Sequence, residues 1–243
     1  MPPHKDSPFA DSASTVHPLT IEFTVYYTVQ PPENEAGKPP ALLLALHGYG
    51  QKCRGFMRQF TALRKRNMLL VAPQGPHQIY MQMEPKKVGC NWLTVYEKEN
   101  SIRDFVGYMN RLVTKVGERH VFDPRQVYVL GFSQGVSMAY RLSVSKTLPI
   151  AGLVACCSDL PPDVAERLPS IAPFPVLLAH SPDDPVAPPE KGGDAERQLR
   201  QHGFPVTRLV YEGGHAITEE VVEKTGAWIQ EQVGLREEGL TKD

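Results

Sequence analysis

The chain has 243 residues, a mass of 27.0 kDa and a formal net charge of −1, from 26 basic and 27 acidic side chains. That length suits one large α/β core, and a near-neutral balance provides no field for a polyanion, so nucleic acid is excluded as an expected partner. Residues 1–19 hold no apolar block of signal-peptide length, and no run reaches the ~20 residues of a membrane span; the expectation is a cytoplasmic protein with no integral membrane association.

In chain order, residues 20–29 place apolar side chains at every odd position, the period of an antiparallel edge strand with one wet face. A turn-rich connector, 31–40, precedes a continuous apolar run at 41–46, a candidate central strand. A helix over about 55–66, a strand at 68–72, a long loop from 73 to 95 and a helix at 101–116 follow. Next come a strand at 127–131, a helix at 134–145, a strand at 150–155 and a second long connection, 158–174. Strands at 176–179 and 206–211, the latter at an edge, alternate with helices at 194–201 and 217–232. This β-α alternation with short connections predicts a mostly parallel central sheet covered by helices on both faces. The domain layout is an N-terminal extension at 1–19, a single domain at 20–233 and a frayed tail at 234–243. Cys53, Cys90, Cys156 and Cys157 have no metal-binding spacing and are expected as free thiols, the last two at the end of a buried strand.

Where the strand at 127–131 meets the helix at 134–145, the chain reads Gly131-Phe132-Ser133-Gln134-Gly135. This has the form of a nucleophile elbow, in which small residues must stand two positions either side of a serine held at strained backbone angles. The Gln134 amide then opens a helix and can donate to a developing oxyanion. A chain of this size carries G-x-S-x-G by chance in roughly one case in ten, so the motif needs support.

Three features supply it. A serine nucleophile requires a base and a carboxylate that orients the base, and both occur later in the chain, acid before histidine. The strand at 176–179 runs into His180-Ser-Pro-Asp-Asp-Pro-Val-Ala-Pro188, a rigid turn bearing Asp183 and Asp184. The strand at 206–211 runs into Glu212-Gly-Gly-His215, where two glycines leave the backbone free to aim the imidazole. The run at 41–46 leads into His47-Gly-Tyr-Gly50, a turn in which the Tyr49 amide can serve as a second oxyanion donor. All four lie at C-terminal strand ends, the edge on which open α/β sheets carry their sites.

Together LHGYG, GFSQG, HSPDDPVAP and EGGH resemble the phospholipase/carboxylesterase family of α/β-hydrolases, which includes acyl-protein thioesterases and small bacterial carboxylesterases; the likeness covers roughly residues 41–232. It implies an α/β-hydrolase fold with Ser133 as nucleophile, His215 as base and an aspartate of the HSPDDP turn as orienter. The family turn, approximately H-G-x-x-D-P-x-V-P, puts Asp184 in that slot and leaves Asp183 as a neighbour. Ser181 replaces the family glycine. Gln51 stands where relatives often carry an acid, a departure that bears on substrate preference.

Neither long connection has the length of a helical cap domain, so an open, moderately apolar groove is expected, with Met81, Met83, Trp92 and Leu160 as candidates to line it; packing of these residues onto the body is the alternative. His47 and His180 read as structural hydrogen-bonders, the latter tying down the acid turn. His77, His120 and the Arg64-Lys65-Arg66 cluster read as solvated. The expected activity is cleavage of a carboxylic ester or thioester through an acyl-enzyme, with no metal or organic cofactor. A lysophospholipase or acyl-protein thioesterase is the nearest alternative, and a non-catalytic ligand-binding module is the alternative of another class. The partner is a small-molecule ester or acyl substrate, and the sequence is compatible with a homodimer.

Overall fold

A computed structural model describes residues 16–33 and 37–240. Seven strands form one sheet in the order β1 (Tyr27–Gln30), β3 (Met68–Pro73), β2 (Ala41–Leu46), β6 (Val127–Phe132), β7 (Ile150–Cys156), β8 (Val176–His180) and β9 (Val206–Val210). Only β1 runs antiparallel; every other neighbouring pair is parallel. The central strands are buried on both faces, as their unbroken apolar sequences require. Leu42, Leu44 and Leu46 face a layer built by α2 (Lys98–Gly117), α3 (Gln134–Val144), α4 (Pro162–Ala165) and α5 (Pro189–Gln201). Ala41, Leu43 and Ala45 face α1 (Cys53–Met57), the 3-10 segment Arg58–Arg66 and α6 (Glu219–Leu240). The result is the three-layer architecture expected of the α/β-hydrolase fold, with no separate helical cap among the described residues.

Several boundaries depart from expectation. The alternating pattern at 20–29 yields only the short strand β1, and its earlier residues, Ile21 and Phe23 among them, stay exposed. The cause lies in the partner. Strand β3 ends at Pro73, paired with Tyr27, and the carbonyl of Tyr26 is taken by the Gln74 amide at 2.8 Å, so residues before 27 have run off the end of the ladder. The connection at 73–95, expected as a loop, contains a hairpin, β4 (His77–Gln82) with β5 (Lys87–Asn91). The helix expected at 55–66 is one α-helical turn followed by 3-10 geometry. Helix α6 continues into the expected tail as far as Leu240, because Arg236 reaches the Ala151 carbonyl at 3.0 Å and Glu237 pairs with Lys38, giving these turns partners on the body; 241–243 lie outside the described residues. The stretch 1–15 of the expected N-terminal extension lies outside the described residues.

The second long connection is fastened to the layer beside the elbow helix. Leu160, Val164, Leu168, Ile171 and Phe174 enter the core, and Asp163 receives a bidentate pair from Arg141 of α3, at 2.7 and 2.8 Å, together with Lys98 of α2 at 3.2 Å. Burial alone would raise the Asp163 carboxyl, but the two cations outweigh it and hold its pKa at about 2.

Candidate active site

The strand β6 delivers Ser133 with φ 52° and ψ −120°, outside the regions open to most side chains. That geometry depends on the flanking glycines. A Cβ on Gly131 would lie 2.5 Å from Val136 Cα, and one on Gly135 would lie 2.2 Å from the Leu46 carbonyl oxygen, both far inside contact distance. The elbow is anchored by the Ser133 amide, which donates to the Cys156 carbonyl of β7 at 3.0 Å.

The histidine loop after β9 brings His215 over this serine. Its two glycines take φ 141° and 62°, the left-handed half of backbone space that admits the turn. His215 Nδ1 lies 2.8 and 3.0 Å from the two Asp184 carboxylate oxygens, and Nε2 lies 2.9 Å from Ser133 Oγ. A carboxylate only accepts, so Nδ1 carries the proton, and Nε2 presents its lone pair to the serine hydroxyl. The Phe132 ring stands 5.0 Å from the imidazole.

Of the adjacent acids, Asp184 makes this contact. Its Oδ1 also accepts the amides of Val186 and Ala187, each at 2.8 Å, across the turn that the prolines stiffen. Burial pushes the Asp184 carboxyl up, but those amides and His215 outweigh it and hold it below the ordinary carboxylate value. Asp183 points the other way. It accepts from the Ser181 hydroxyl and from the Gly214 amide at 3.2 Å, so it ties the histidine loop to the acid turn.

The turn after β2 lies beside the elbow under several restraints. Gln51 Oε1 accepts the Gly48 amide at 2.8 Å, which makes this residue a brace of the turn. The Gly50 amide donates to Cys90 of β5 at 2.8 Å. His47, wholly buried, donates from Nδ1 to the Gly48 carbonyl at 2.8 Å and accepts at Nε2 from the Gly75 amide, 2.9 Å, and the Gln74 side chain, 2.8 Å. Burial lowers its pKa to about 4 and keeps it neutral, in line with a structural role. Among the described residues the Tyr49 amide donates to no protein acceptor, and that of Gln134 opens α3, where intrahelical acceptors are lacking. The side chain of Gln134 clamps the exit of the hairpin, accepting from the Trp92 amide at 3.0 Å and donating to the Leu93 carbonyl at 2.9 Å.

The residues named for an acyl groove separate into two groups. Met81 and Met83 are exposed, and the thioether end of Met81 packs on Gly50, beside Tyr49. Trp92 is 0% exposed and Leu160 only 7%, both within the core, so they support the site from beneath and line no open groove. His180 is a further correction. It was expected to tie down the acid turn, yet it is buried with neither ring nitrogen hydrogen-bonded, and burial lowers its pKa.

Sequence reasoning missed one neighbour of the acid. Cys157, at φ 58° just past β7, directs its thiol behind Asp184, and Cys157 Sγ, an Asp184 carboxylate oxygen and a His215 ring nitrogen all lie within 4.8 Å of one another. The sequence places Cys156 and Cys157 at the end of a buried strand, but nothing local says which of them would meet the acid.

A parallel sheet with a serine at a sharp strand-to-helix turn and a histidine and acid on later loops defines a serine hydrolase of the α/β-hydrolase class. Comparison with known proteins agrees. The phospholipase/carboxylesterase model matches residues 28–233, and the chain belongs to that family of carboxylic ester hydrolases. It is similar to acyl-protein thioesterase 1 of Gibberella zeae, at 23% identity over 82% of this chain and 93% of the relative. Among solved structures, esterase PE8 superposes with a TM-score of 0.70 at 23% identity, covering 85% of this chain and 98% of its own. Arabidopsis thaliana SOBER1 does so with a TM-score of 0.66 at 20% identity, covering 80% and 99%. Among the described residues no helix is long and apolar enough to cross a membrane.

Proposed function

We infer that the protein is a carboxylesterase in which Ser133, His215 and Asp184 form the catalytic triad. The observation that carries this reading is the unbroken chain of contacts from Ser133 Oγ through His215 to Asp184, at 2.9 and 2.8 Å. His215 takes the Ser133 proton as the hydroxyl attacks the acyl carbon of an ester or thioester. The Tyr49 and Gln134 amides receive the oxyanion, His215 returns the proton to the leaving alcohol or thiol, and water then repeats the cycle on the acyl-enzyme. Met81, over the oxyanion turn, and the exposed side chains of Tyr49 and Met83 offer the acyl group an apolar surface. The chemistry calls on no cofactor.

The test is kcat/KM on p-nitrophenyl esters of increasing acyl length, with Ser133→Ala as blank. A loss of about 10⁴–10⁶ on that substitution is expected. A best rate on short acyl chains identifies a carboxylesterase; a rate rising towards long chains moves the reading to lysophospholipid or acyl-protein substrates. A signal equal to the blank, with no fluorophosphonate labelling, replaces both with a ligand-binding module.

A further inference from the structure

Cys157 is a buried nucleophile for which the hydrolytic reaction has no use. Its Sγ is 2.8 Å from the Tyr211 hydroxyl, and that hydroxyl gives its only proton to the Ala216 carbonyl at 2.7 Å. The thiol is therefore the donor in its contact with Tyr211, with the Gly214 and Ala216 carbonyls as further acceptors. Thiol, carboxylate and imidazole from three different loops converge within 4.8 Å, the combination of soft sulfur, oxygen and nitrogen donors that a zinc-like cation takes. The Gly214 and Ala216 carbonyl oxygens, each 4.0 Å from Sγ, stand next to the cluster.

We propose that Cys157, Asp184 and His215 form an inhibitory binding site for a zinc-type divalent cation. The inference rests on the reading of His215 as the base and Asp184 as its orienter. The ion bonds to Cys157 Sγ, an Asp184 oxygen and His215 Nδ1, the nitrogen that otherwise donates to Asp184. The thiol proton passes to solvent and the imidazole proton moves from Nδ1 to Nε2, so one proton is released per ion and the imidazole stays neutral. With Nε2 protonated and the ring held by metal, the acceptor for the Ser133 proton is gone. Charge also closes. A bare thiolate beside Asp184 would set two anions side by side. A divalent cation balances a thiolate and a carboxylate, so the occupied cluster is neutral.

Zinc titration of ester hydrolysis by the wild type and Cys157→Ser tests this, each rate normalised to that variant's own metal-free rate, with cobalt(II) absorbance measured alongside. Reversible inhibition relieved by a chelator is expected, with roughly 10- to 100-fold more zinc needed in Cys157→Ser. A thiolate-to-cobalt charge-transfer band is expected in the wild type and absent from the variant. Equal zinc sensitivity in the two proteins overturns the proposal. Absence of the wild-type cobalt band overturns it as well, even if the variant fails to fold. If the wild type hydrolyses no ester, the functional reading fails, and the cobalt band alone decides the metal site.

Discussion

The indole N–H of Trp92 donates to the carbonyl oxygen of His47 at 2.7 Å, and the two rings lie tilted by 34° with centroids 4.7 Å apart. The tryptophan thereby fixes the first residue of the turn that presents the Tyr49 amide. Trp92→Phe keeps most of the buried area but orphans the His47 oxygen, at a stability cost of about 1–3 kcal/mol. On the proposed reading, in which the Tyr49 amide is an oxyanion donor, kcat is expected to fall by about tenfold or more with KM little changed. Steady-state kinetics with a thermal melt check both effects, and an unaltered kcat would show that the turn holds itself.

The elbow tolerates no side chain at its flanks. Gly135→Ala places a methyl 2.2 Å from the Leu46 oxygen, and the required backbone shift is expected to cost about 1–3 kcal/mol or more and to abolish fluorophosphonate labelling. Gly193 of α5, around which nothing lies within 4 Å, provides the contrast. Gly193→Ala is expected to leave labelling intact and to raise stability by up to about 1 kcal/mol, read from urea denaturation midpoints.

The two aspartates differ in kind. Asp184→Asn replaces the acceptor at His215 Nδ1 with a group that favours the wrong tautomer, and a loss of about 10⁴ in kcat is expected. Asp183→Asn loosens only the tie to Gly214 and is expected to stay within about tenfold of wild type, in keeping with the modest worth of single hydrogen bonds. Equal losses in the two variants would contradict the assignment.

His47 sets an acid limit. Its folded pKa of about 4 lies below the 6.5 of the free side chain, so between these values the unfolded chain binds the extra proton. Its stability contribution is complete above pH 6.5 and is lost as pH falls from 6.5 to 4, by about 3 kcal/mol across the window. Buried His180 shifts in the same direction. Urea midpoints against pH should decline over that range, and the His47 imidazole resonance should not titrate until near pH 4. A midpoint independent of pH there would exclude the effect.

The elbow was legible because its signal is local: a β-period run, a serine between two glycines and a helix-period run are contiguous in the chain. The order of acid and histidine was legible for the same reason, each sitting in a turn after an apolar strand. Adjacent Asp183 and Asp184 point to opposite sides of one turn, a distinction made only when the histidine loop arrives, and the family likeness pointed to the one that His215 contacts. The hairpin at 77–91 escaped because β4 is exposed at nearly every position and so carries no alternation. The apolar period at 20–26 misled in the opposite sense, since a strand also needs a partner and β3 had ended. Trp92 shows a third limit. The sequence leaves it between lining a groove and packing onto the body, because the buried place under the His47 turn that receives it is made by other segments.

The clasp of Arg141 and Lys98 on Asp163 has a bearing on traffic. With the chain after β7 held by Arg141, on the helix that begins at Ser133, and by Lys98 of α2, movement of that segment would require breaking both ion pairs. On the proposed reading, a bulky acyl donor whose ester projects from its own surface would meet that side as a standing surface rather than a door.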